Sequence, residues 1–191
     1  MGTRSFNIID KIIAYYRLKR IEKYINGDDI ILDFGCGHHY LLLKKMKNKI
    51  RFGIGLDYEV ENKKEGNKIE LINYRYTDRL PFEKNYFNKV ILMAVIEHFT
   101  INNLVKLLNE IKRVLRNGGR VVLTTPTPKS KSLLELLSRL HIISGEEIAD
   151  HKKYYAKEDI FIIAKKLGFS IEEYGTFQMG LNSIAVLVNH R

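Results

Sequence analysis

The sequence predicts a doubly wound α/β domain, in which helices cover both faces of a mostly parallel sheet. Short apolar runs such as Val90–Met93 and Val121–Leu123 show no polar alternation, which is typical of strands buried on both faces. These runs alternate with segments of helical periodicity, the order expected of β-α-β units. The last two predicted strands have only a loop between them, so we expect them to pair antiparallel.

Each element is predicted from its own apolar pattern. Helical spacing of apolar residues predicts an amphipathic N-terminal helix over residues 5–25, which ends near Asn26 and Gly27. Strands are predicted at 30–33, 52–57, 69–74, 89–93, 120–125, 169–174 and 184–188, and further helices at about 40–47, 101–116, about 130–140 and 157–167. Residues 59–68 are a charged stretch.

Composition bounds the class of protein. A chain of 191 residues with 45% hydrophobic content is expected to form one domain over residues 1–191, with an N-terminal helical segment at 1–27 and an insertion over the site at 127–155. The sequence has no apolar run of the roughly 20 residues that a membrane span needs, and its first residues lack the apolar stretch of a signal peptide. We therefore expect a cytoplasmic protein without a transmembrane segment. The single cysteine, Cys36, excludes an intramolecular disulfide.

The net charge of +10 raises the question of a nucleic-acid partner. The lysines and arginines are scattered over most predicted helices and loops, as on an ordinary solvated surface. A nucleic-acid partner is therefore an alternative that the sequence does not favour. The oligomeric state cannot be predicted from the sequence.

Two glycines in a tight turn indicate a cofactor site. The apolar run Ile30–Phe34 is followed by Gly35, Cys36 and Gly37, and Asp57 closes the next apolar run. Glycines let backbone N–H groups approach a ligand closely, and an acid at the end of the next strand can accept both hydroxyls of a ribose. This arrangement predicts a nucleoside cofactor.

The topology places four segments at one edge of the sheet. In an open α/β sheet, ligands bind outside the carboxyl ends of the strands, where the strand order reverses. The segments that follow these strand ends are 35–40, 57–58, 93–98 and 125–128. We call this edge the carboxyl rim and expect the site there.

Five motifs in order carry a family resemblance. They are Ile31-Leu-Asp33-Phe-Gly35-Cys-Gly37, Gly55-Leu-Asp57, the Leu80-Pro-Phe82 segment, Val95-Ile-Glu97-His98-Phe99, and the helix and Gly118-Gly119 turn before Val121. Together with a late segment from His151 to Phe169, they resemble the class I S-adenosylmethionine-dependent methyltransferases, of the small-molecule group that includes the ubiquinone and menaquinone biosynthetic enzymes. The resemblance implies a Rossmann-like methyltransferase fold: a seven-stranded sheet of order 3-2-1-4-5-7-6 with the last strand antiparallel.

The resemblance also implies roles for the residues that match its motifs. Gly35 and Gly37, with Cys36 between them as a small space-filler, would pass beneath the methionine part of S-adenosylmethionine, and Asp33 would orient that loop or the cofactor's ammonium group. Asp57 would hold the ribose diol. The remaining cofactor-binding positions are Tyr58 beside the adenine, Thr77 or Asp78 near its edge, and Met93 on the opposite side.

Three positions depart from the family pattern. His39 stands where relatives usually have a third glycine, so it either has ordinary dihedral angles or tolerates a strained positive φ. Tyr76 stands where many relatives have an acid for the adenine amino group, which makes Asp78 the substitute. Asn88 replaces a common aspartate, a change that we expect to be structural.

His151 and His98 are the candidate catalytic residues. A hydroxyl or amine acceptor needs a base with a pKa near neutrality to remove its proton, and both histidines are predicted near the carboxyl rim. His151 is the preferred base, whereas His98 also suits a capping or packing role. The adjacent pair His38 and His39 does not face one ligand well, so no metal site is expected.

Three functions are compatible with these motifs. The leading one is a methyltransferase that acts on a small molecule with S-adenosylmethionine as cofactor. The positive net charge makes an RNA methyltransferase one alternative. The departure at His39 makes a non-catalytic S-adenosylmethionine-binding or scaffold protein another. The apolar insertion at 127–155 either packs on the core or walls a substrate pocket or partner surface.

Overall fold

The structure, a computed structural model, describes residues 8–139 and 150–190. Its helices are α1 (Ile8–Glu22), α2 (Leu41–Met46), α3 (Ile101–Val114), α4 (Lys131–Arg139) and α5 (Lys157–Lys166). Its strands are β1 (Ile30–Phe34), β2 (Phe52–Asp57), β3 (Lys63–Glu65), β4 (Ile69–Asn73), β5 (Phe87–Met93), β6 (Leu115–Pro126), β7 (Phe169–Phe177) and β8 (Asn182–Asn189). Short 3₁₀ helices lie at Ile96–His98 and Pro128–Ser130.

The strands form one sheet of order β3-β4-β2-β1-β5-β6-β8-β7. The strands β4, β2, β1, β5 and β6 run parallel, and β8 pairs antiparallel with both β6 and β7. The predicted doubly wound fold is confirmed, and its seven strands lie in the predicted order.

The prediction of seven strands is corrected to eight. The additional strand, β3, lies within the charged stretch and pairs antiparallel with the edge strand β4. Its sequence, Lys63-Lys64-Glu65, has no apolar residue and its side chains are exposed or half-buried. It is held by backbone pairing at the sheet edge, so an apolar pattern could not reveal it.

The Gly118-Gly119 turn is built into the start of β6. Phe87 pairs with Leu115 and Lys89 pairs with Arg120, so the residues between them on β6 loop out. A Cβ on Gly119 would lie 2.8 Å from the carbonyl oxygen of Arg116, which explains why glycine is needed there.

Asn88 connects two central strands. Its Oδ1 accepts a hydrogen bond of 2.9 Å from the backbone N–H of Ile30 at the start of β1. The expectation of a structural role for Asn88 agrees with this contact.

Helices cover both faces of the sheet. On one face, α1 and α2 bury their apolar side chains against β1, β4, β5, β6 and β8. The opposite face is covered by α3 and α5, whose buried residues are Leu104, Leu107, Leu108, Ile111, Val114, Ile160, Ile163 and Ala164. In the described ranges, no helix is both long enough and apolar enough to span a membrane.

The carboxyl rim lies where the strand order reverses. From β1 the chain continues to β2 and β4 on one side and then crosses to β5 and β6 on the other. The loops that follow β1, β2, β5 and β6 therefore meet at this rim, which positions the site described next.

Candidate active site

The loop after β1 requires glycine at its first position. Gly35 has φ of 72° and Gly37 has φ of 66°, both in the left-handed region. A Cβ on Gly35 would lie 2.6 Å from Cγ2 of Val95, which follows β5. The Gly35 N–H donates to the Leu56 carbonyl at 2.8 Å. The loop is therefore packed tightly between the ends of β2 and β5.

The strained residue of this loop is Tyr40 rather than His39. Tyr40 has φ of 35° and ψ of 48°, whereas His39 is not among the residues with positive φ. The Tyr40 hydroxyl donates to Glu65 Oε1 at 2.6 Å, and the Lys44 ammonium lies 4.1 Å from the centre of its ring. These contacts compensate the left-handed backbone of Tyr40. The positive φ considered for His39 is not found.

Asp57 connects the two loops of the predicted cofactor site. Its Oδ2 accepts a hydrogen bond from the Gly37 N–H at 2.9 Å, and its Oδ1 accepts one from the Glu59 N–H at 2.9 Å. The residue is 5% exposed. Each oxygen of an ionised carboxylate has two lone pairs, so the side chain can accept further hydrogen bonds from a diol.

Asp33 lies beneath the glycine loop with a buried carboxyl group. The residue is 1% exposed, and its Oδ2 is buried without a hydrogen-bond partner. Burial, and to a lesser degree the neighbouring Asp57, raises the pKa of Asp33 to about 8. A buried carboxyl group without a partner is costly, so its environment suits a cationic ligand.

Cys36 lies between the glycines with its side chain in the core. Its Sγ is 2.9 Å from the position that a Cβ on Gly55 would occupy. Burial raises the pKa of the Cys36 thiol above its ordinary range. A neutral thiol that fills space under the loop agrees with the predicted space-filling role.

An aromatic cluster lies beside the predicted adenine positions. The Tyr76 ring packs edge-on against Phe34 at 5.7 Å between centroids and lies 6.4 Å from Phe99. Tyr76, Phe99 and Thr77 line a small pocket. From the sequence, Tyr76 was only a departure from the family acid, and Phe99 was named within a motif without a role in the site.

The other predicted adenine positions are Tyr58, Thr77 and Asp78. Tyr58 is half-buried, with the Arg75 guanidinium 4.7 Å from its ring centre. Thr77 and Asp78 are exposed, and the Thr77 hydroxyl donates to Asp78 Oδ1 at 3.1 Å.

Strand β5 ends at Met93, the position predicted on the opposite side of the cofactor, and a turn follows it. Met93 is half-buried and packs on the α1 and α2 side of the sheet. Ala94 has φ of 58°, and its N–H donates to the Thr124 carbonyl at 3.0 Å. This strained turn brings Val95 against Gly35 and directs the chain into the 3₁₀ helix that carries Glu97 and His98.

Four side chains form a polar cluster at this end of the rim. We call Glu97, His98, Asp150 and His151 the histidine–carboxylate cluster. His98 Nδ1 is hydrogen-bonded to Asp150 Oδ2 at 3.1 Å, and the His98 and His151 rings lie 5.2 Å apart. Glu97 is 1% exposed and accepts a hydrogen bond of 3.0 Å from the Thr125 hydroxyl. The two histidines predicted as catalytic therefore lie together.

A family comparison decides how this arrangement is interpreted. A family model described as a methyltransferase domain matches residues 11–174 of the chain. The chain belongs to this methyltransferase family. The family and the enzyme class, an S-adenosylmethionine-dependent methyltransferase, are those that the sequence predicts.

Individual relatives agree with this assignment. An uncharacterised protein of Methanocaldococcus jannaschii is 30% identical to this methyltransferase over 164 residues, which cover 82% of this chain and 70% of the relative. The ubiquinone/menaquinone biosynthesis C-methyltransferase UbiE of Wigglesworthia glossinidia brevipalpis is 33% identical over 156 residues, which cover 73% of this chain and 60% of the relative. The chain thus spans 60–70% of the length of these two proteins.

A solved structure supports the fold. The crystal structure of a SAM-dependent methyltransferase from Methanosarcina mazei matches with a TM-score of 0.67 at 19% identity, covering 90% of this chain and 97% of that one.

Helix α1 extends over the histidine–carboxylate cluster of the methyltransferase. Arg17 donates through Nε and Nη2 to Asn182 Oδ1, at 3.1 and 2.8 Å. Burial raises the pKa of Glu97, and the nearby Arg17 opposes this rise. Burial also lowers the pKa of His151 to about 4, with His98 and Arg17 acting in the same direction.

Sequence reasoning missed part of this end of the methyltransferase site. Glu97 was noted only within a motif, and Asp150 and Arg17 were not predicted as site residues. The Glu97–His98 pair shortly after a strand was the sequence pattern that could have indicated Glu97 as a site residue. No sequence pattern indicates Asp150 or Arg17, because they come to the cluster from separate segments of the chain.

Helix α4 leaves apolar side chains exposed. Leu133 is 39% and Leu136 is 52% exposed. Residues 140–149 of the insertion lie outside the described residues. They include the apolar residues Leu140, Ile142 and Ile143.

Proposed function

We propose that this methyltransferase transfers the methyl group of S-adenosylmethionine to a small-molecule acceptor. The observation that carries the proposal is the joining of the glycine loop to Asp57 by the hydrogen bond from Gly37. This bond holds the carboxylate that would bind the ribose next to the glycine loop, which supports a cofactor site at the rim where the histidine–carboxylate cluster also lies.

The residues at the rim fit the cofactor. The position of Gly35 leaves no room for a Cβ, and the buried Oδ2 of Asp33 has no partner in the structure. Asp33 would hold the cofactor's ammonium group, Gly35 and Gly37 would lie beneath its methionine part, and Asp57 would accept the ribose hydroxyls. The cofactor supplies a methyl group already activated by a sulfonium, so the chain needs to align the acceptor and exclude water.

The aromatic cluster supplies the adenine side of the proposed site. Tyr58 would flank the adenine, and Thr77 or Asp78 would lie at its edge. Tyr76 and Phe99 add apolar surface to this region through their packing on Phe34. Met93 would line the opposite side.

The histidine–carboxylate cluster would receive the acceptor. Its geometry favours His98 over His151 as a proton acceptor, because Asp150 orients the His98 ring as a carboxylate orients a catalytic histidine. Burial beside His98 and Arg17 lowers the pKa of His151 to about 4, which makes it a weak base near neutral pH. His151 would then position the acceptor.

Two observations favour a small acceptor over RNA. Ion pairs engage basic groups on separated elements, among them Lys23 with Glu173, Arg113 with Glu110 and Arg120 with Glu172. Such dispersed, paired charge is a poor phosphate-binding surface. The UbiE relative is a biosynthetic C-methyltransferase by its name, which supports a small-molecule acceptor here.

The proposal is tested by following labelled methyl groups. Purified protein is incubated with methyl-labelled S-adenosylmethionine and either a small-molecule extract or an RNA fraction. We expect label to enter the small-molecule fraction, and Asp57→Ala to reduce this transfer strongly when the cofactor concentration is near the wild-type Kd. The control Asp28→Ala changes an exposed acid before β1, at the opposite end of that strand, and should retain transfer.

Two results would contradict the proposal. Label entering RNA alone would establish the RNA methyltransferase alternative. Cofactor binding without transfer to either fraction would support the non-catalytic alternative. The cytoplasmic location remains a prediction from the sequence.

A further inference from the structure

The geometry points to a divalent transition-metal site formed by Glu97, His98 and His151. Each of these residues offers one ligand atom, and the three atoms all lie within 4.8 Å of one another. From the sequence, only His38 and His39 were candidates for a metal site, and no metal was expected. The fold instead brings together a strand-end Glu–His pair and a histidine more than fifty residues later.

Hydrogen bonds hold the two segments of this site together. The backbone N–H groups of Lys152 and Lys153 donate to the carbonyl oxygen of Glu97, at 2.8 and 3.2 Å. These bonds fix the segment that carries His151 against the 3₁₀ helix that carries Glu97 and His98. The Thr125 hydroxyl donates to Glu97 Oε2 and restrains the buried carboxylate. The three ligands are therefore positioned before any ion binds.

The surroundings of the histidines suit metal ligation. Asp150 Oδ2 accepts from His98 Nδ1, which leaves His98 Nε2 as the ligand atom. A carboxylate on the other nitrogen is the usual support of a metal-bound histidine. The Nδ1 of His151 is buried and has no hydrogen-bond partner in the structure.

The donor set selects the class of ion. Two imidazole nitrogens and one carboxylate oxygen suit Zn²⁺, Fe²⁺, Co²⁺ or Ni²⁺ better than Mg²⁺ or Ca²⁺, which prefer oxygen ligands. With metal–ligand bonds of about 2.0–2.1 Å, three ligands of one ion lie at most about 3.6 Å from one another. The three ligand atoms lie within 4.8 Å of one another, so binding would draw them together by up to about 1.2 Å. Three protein ligands leave open positions for an acceptor.

This inference rests on the proposed function and names its acceptor class. The cluster lies at the acceptor side of the rim, so the ion would bind an acceptor hydroxyl oxygen and make its proton easier to lose. The proton passes to solvent, and an O–CH₃ bond forms as the S–CH₃ bond of the sulfonium breaks. The uncharged thioether S-adenosylhomocysteine is the second product. The ion thereby replaces a histidine base in an O-methylation.

A substitution of Arg17 tests the metal site through an expected gain in metal affinity, whereas substitutions of the ligands should reduce it. Its positive charge acts on both Glu97 and His151. A cation at the cluster is repelled by this charge, so removing it should strengthen metal binding. A purely structural role for the cluster predicts no such gain.

Metal binding is measured directly on chelator-treated protein by calorimetry with Zn²⁺ and by the absorption spectrum of added Co²⁺. We expect one ion per chain. Glu97→Gln, His98→Gln and His151→Gln should abolish it, Asp150→Asn should weaken it about 10- to 100-fold, and Arg17→Gln should strengthen it. The matched control His38→Gln/His39→Gln should bind one ion as the wild type does.

A second measurement separates this inference from the proposed function. Binding of S-adenosylhomocysteine to each cluster variant, measured alongside its thermal melting, reports whether the fold and the cofactor site are intact. The inference is overturned when the wild type binds S-adenosylhomocysteine but neither Zn²⁺ nor Co²⁺. It is also overturned when folded cluster variants bind the ion as tightly as the wild type. Failure to bind S-adenosylhomocysteine would instead contradict the proposed function.

Discussion

The backbone N–H of Gly37 donates a hydrogen bond of 2.9 Å to the Asp57 carboxylate, across the gap between the loops that follow β1 and β2. The same carboxylate accepts a second bond from Glu59. One acid thus fixes the shape of the glycine loop and faces the place proposed for the ribose. Changes in the loop and changes in Asp57 should therefore affect the same ligand.

Gly35→Ala should severely weaken S-adenosylhomocysteine binding. The added Cβ would lie 2.6 Å from Val95 Cγ2, which is a steric clash. In addition, the φ of 72° at this position costs any residue other than glycine about 1–2 kcal/mol. Calorimetry measures the affinity, and denaturant unfolding measures the stability.

Two matched variants separate the clash from the strain at Gly35. Gly35→Ala/Val95→Ala removes the clashing methyl groups and should recover part of the affinity. Gly118→Ala has the same φ of 72° with no atom within 4 Å of its Cβ. It should lose stability but keep binding, and equal loss of affinity in Gly118→Ala would refute the account.

Asp33 should make the ligand-free protein less stable as the pH rises. Its folded-state pKa of about 8 exceeds the ordinary value of 3.8, so the folded state binds more protons between these values. The stability is fully present below about pH 3.8 and is lost progressively up to about pH 8. Because asparagine does not ionise, the Asp33→Asn variant does not show this pH-dependent loss of stability. The difference between variant and wild type should grow with pH, by up to about 1.4 kcal/mol per unit. Denaturant unfolding at pH 5 and 8 measures it, and a constant difference would disprove the burial effect.

Binding of S-adenosylhomocysteine near pH 7 should release a proton. The ligand-free Asp33 carboxyl is largely protonated there, because burial raises its pKa to about 8. A ligand ammonium beside it favours the carboxylate. Calorimetry in buffers of different ionisation enthalpy counts the protons released. Asp33→Asn should release none, and equal release by variant and wild type would exclude Asp33 as the ammonium partner.

Lys89→Met should destabilise the protein by about 3–5 kcal/mol, because it leaves the charge of Asp29 buried without its partner. Both residues are buried, and the Lys89 ammonium donates to Asp29 Oδ2 near the start of β1. Asp29→Asn/Lys89→Met removes both charges and should recover part of the loss. Denaturant unfolding of the wild type and the two variants measures this, and a double variant no more stable than Lys89→Met would show that the charge of Asp29 is not the cause of the loss.

The seven main strands were predictable because apolar runs buried on both faces have a strong sequence pattern, and their order followed from the family resemblance. The edge strand β3 was not predictable, since Lys63, Lys64 and Glu65 include no apolar residue and join the sheet through backbone pairing with β4. The apolar pattern also gave no sign of the 3₁₀ turn at Ile96–His98, which follows the left-handed Ala94 after β5.

The glycine loop and Asp57 were predictable from local spacing. Backbone strain was considered at His39, but the left-handed residue is Tyr40, the next in the chain. Contacts with Glu65 and Lys44 hold Tyr40 in that conformation. The histidine–carboxylate cluster was predictable only in its histidines. Asp150 and Arg17 reach it from the insertion and the N-terminal helix, and no local pattern specifies such tertiary contacts.

Calorimetry of S-adenosylhomocysteine binding to wild type and Asp57→Ala tests the central claim most directly. The account predicts that the wild type binds and that the variant binds about 1.5–3 kcal/mol more weakly, the value of a hydrogen bond to a charged group. Asp28→Ala should bind like the wild type. A wild type that does not bind, or an Asp57→Ala variant that binds equally well, would contradict the account.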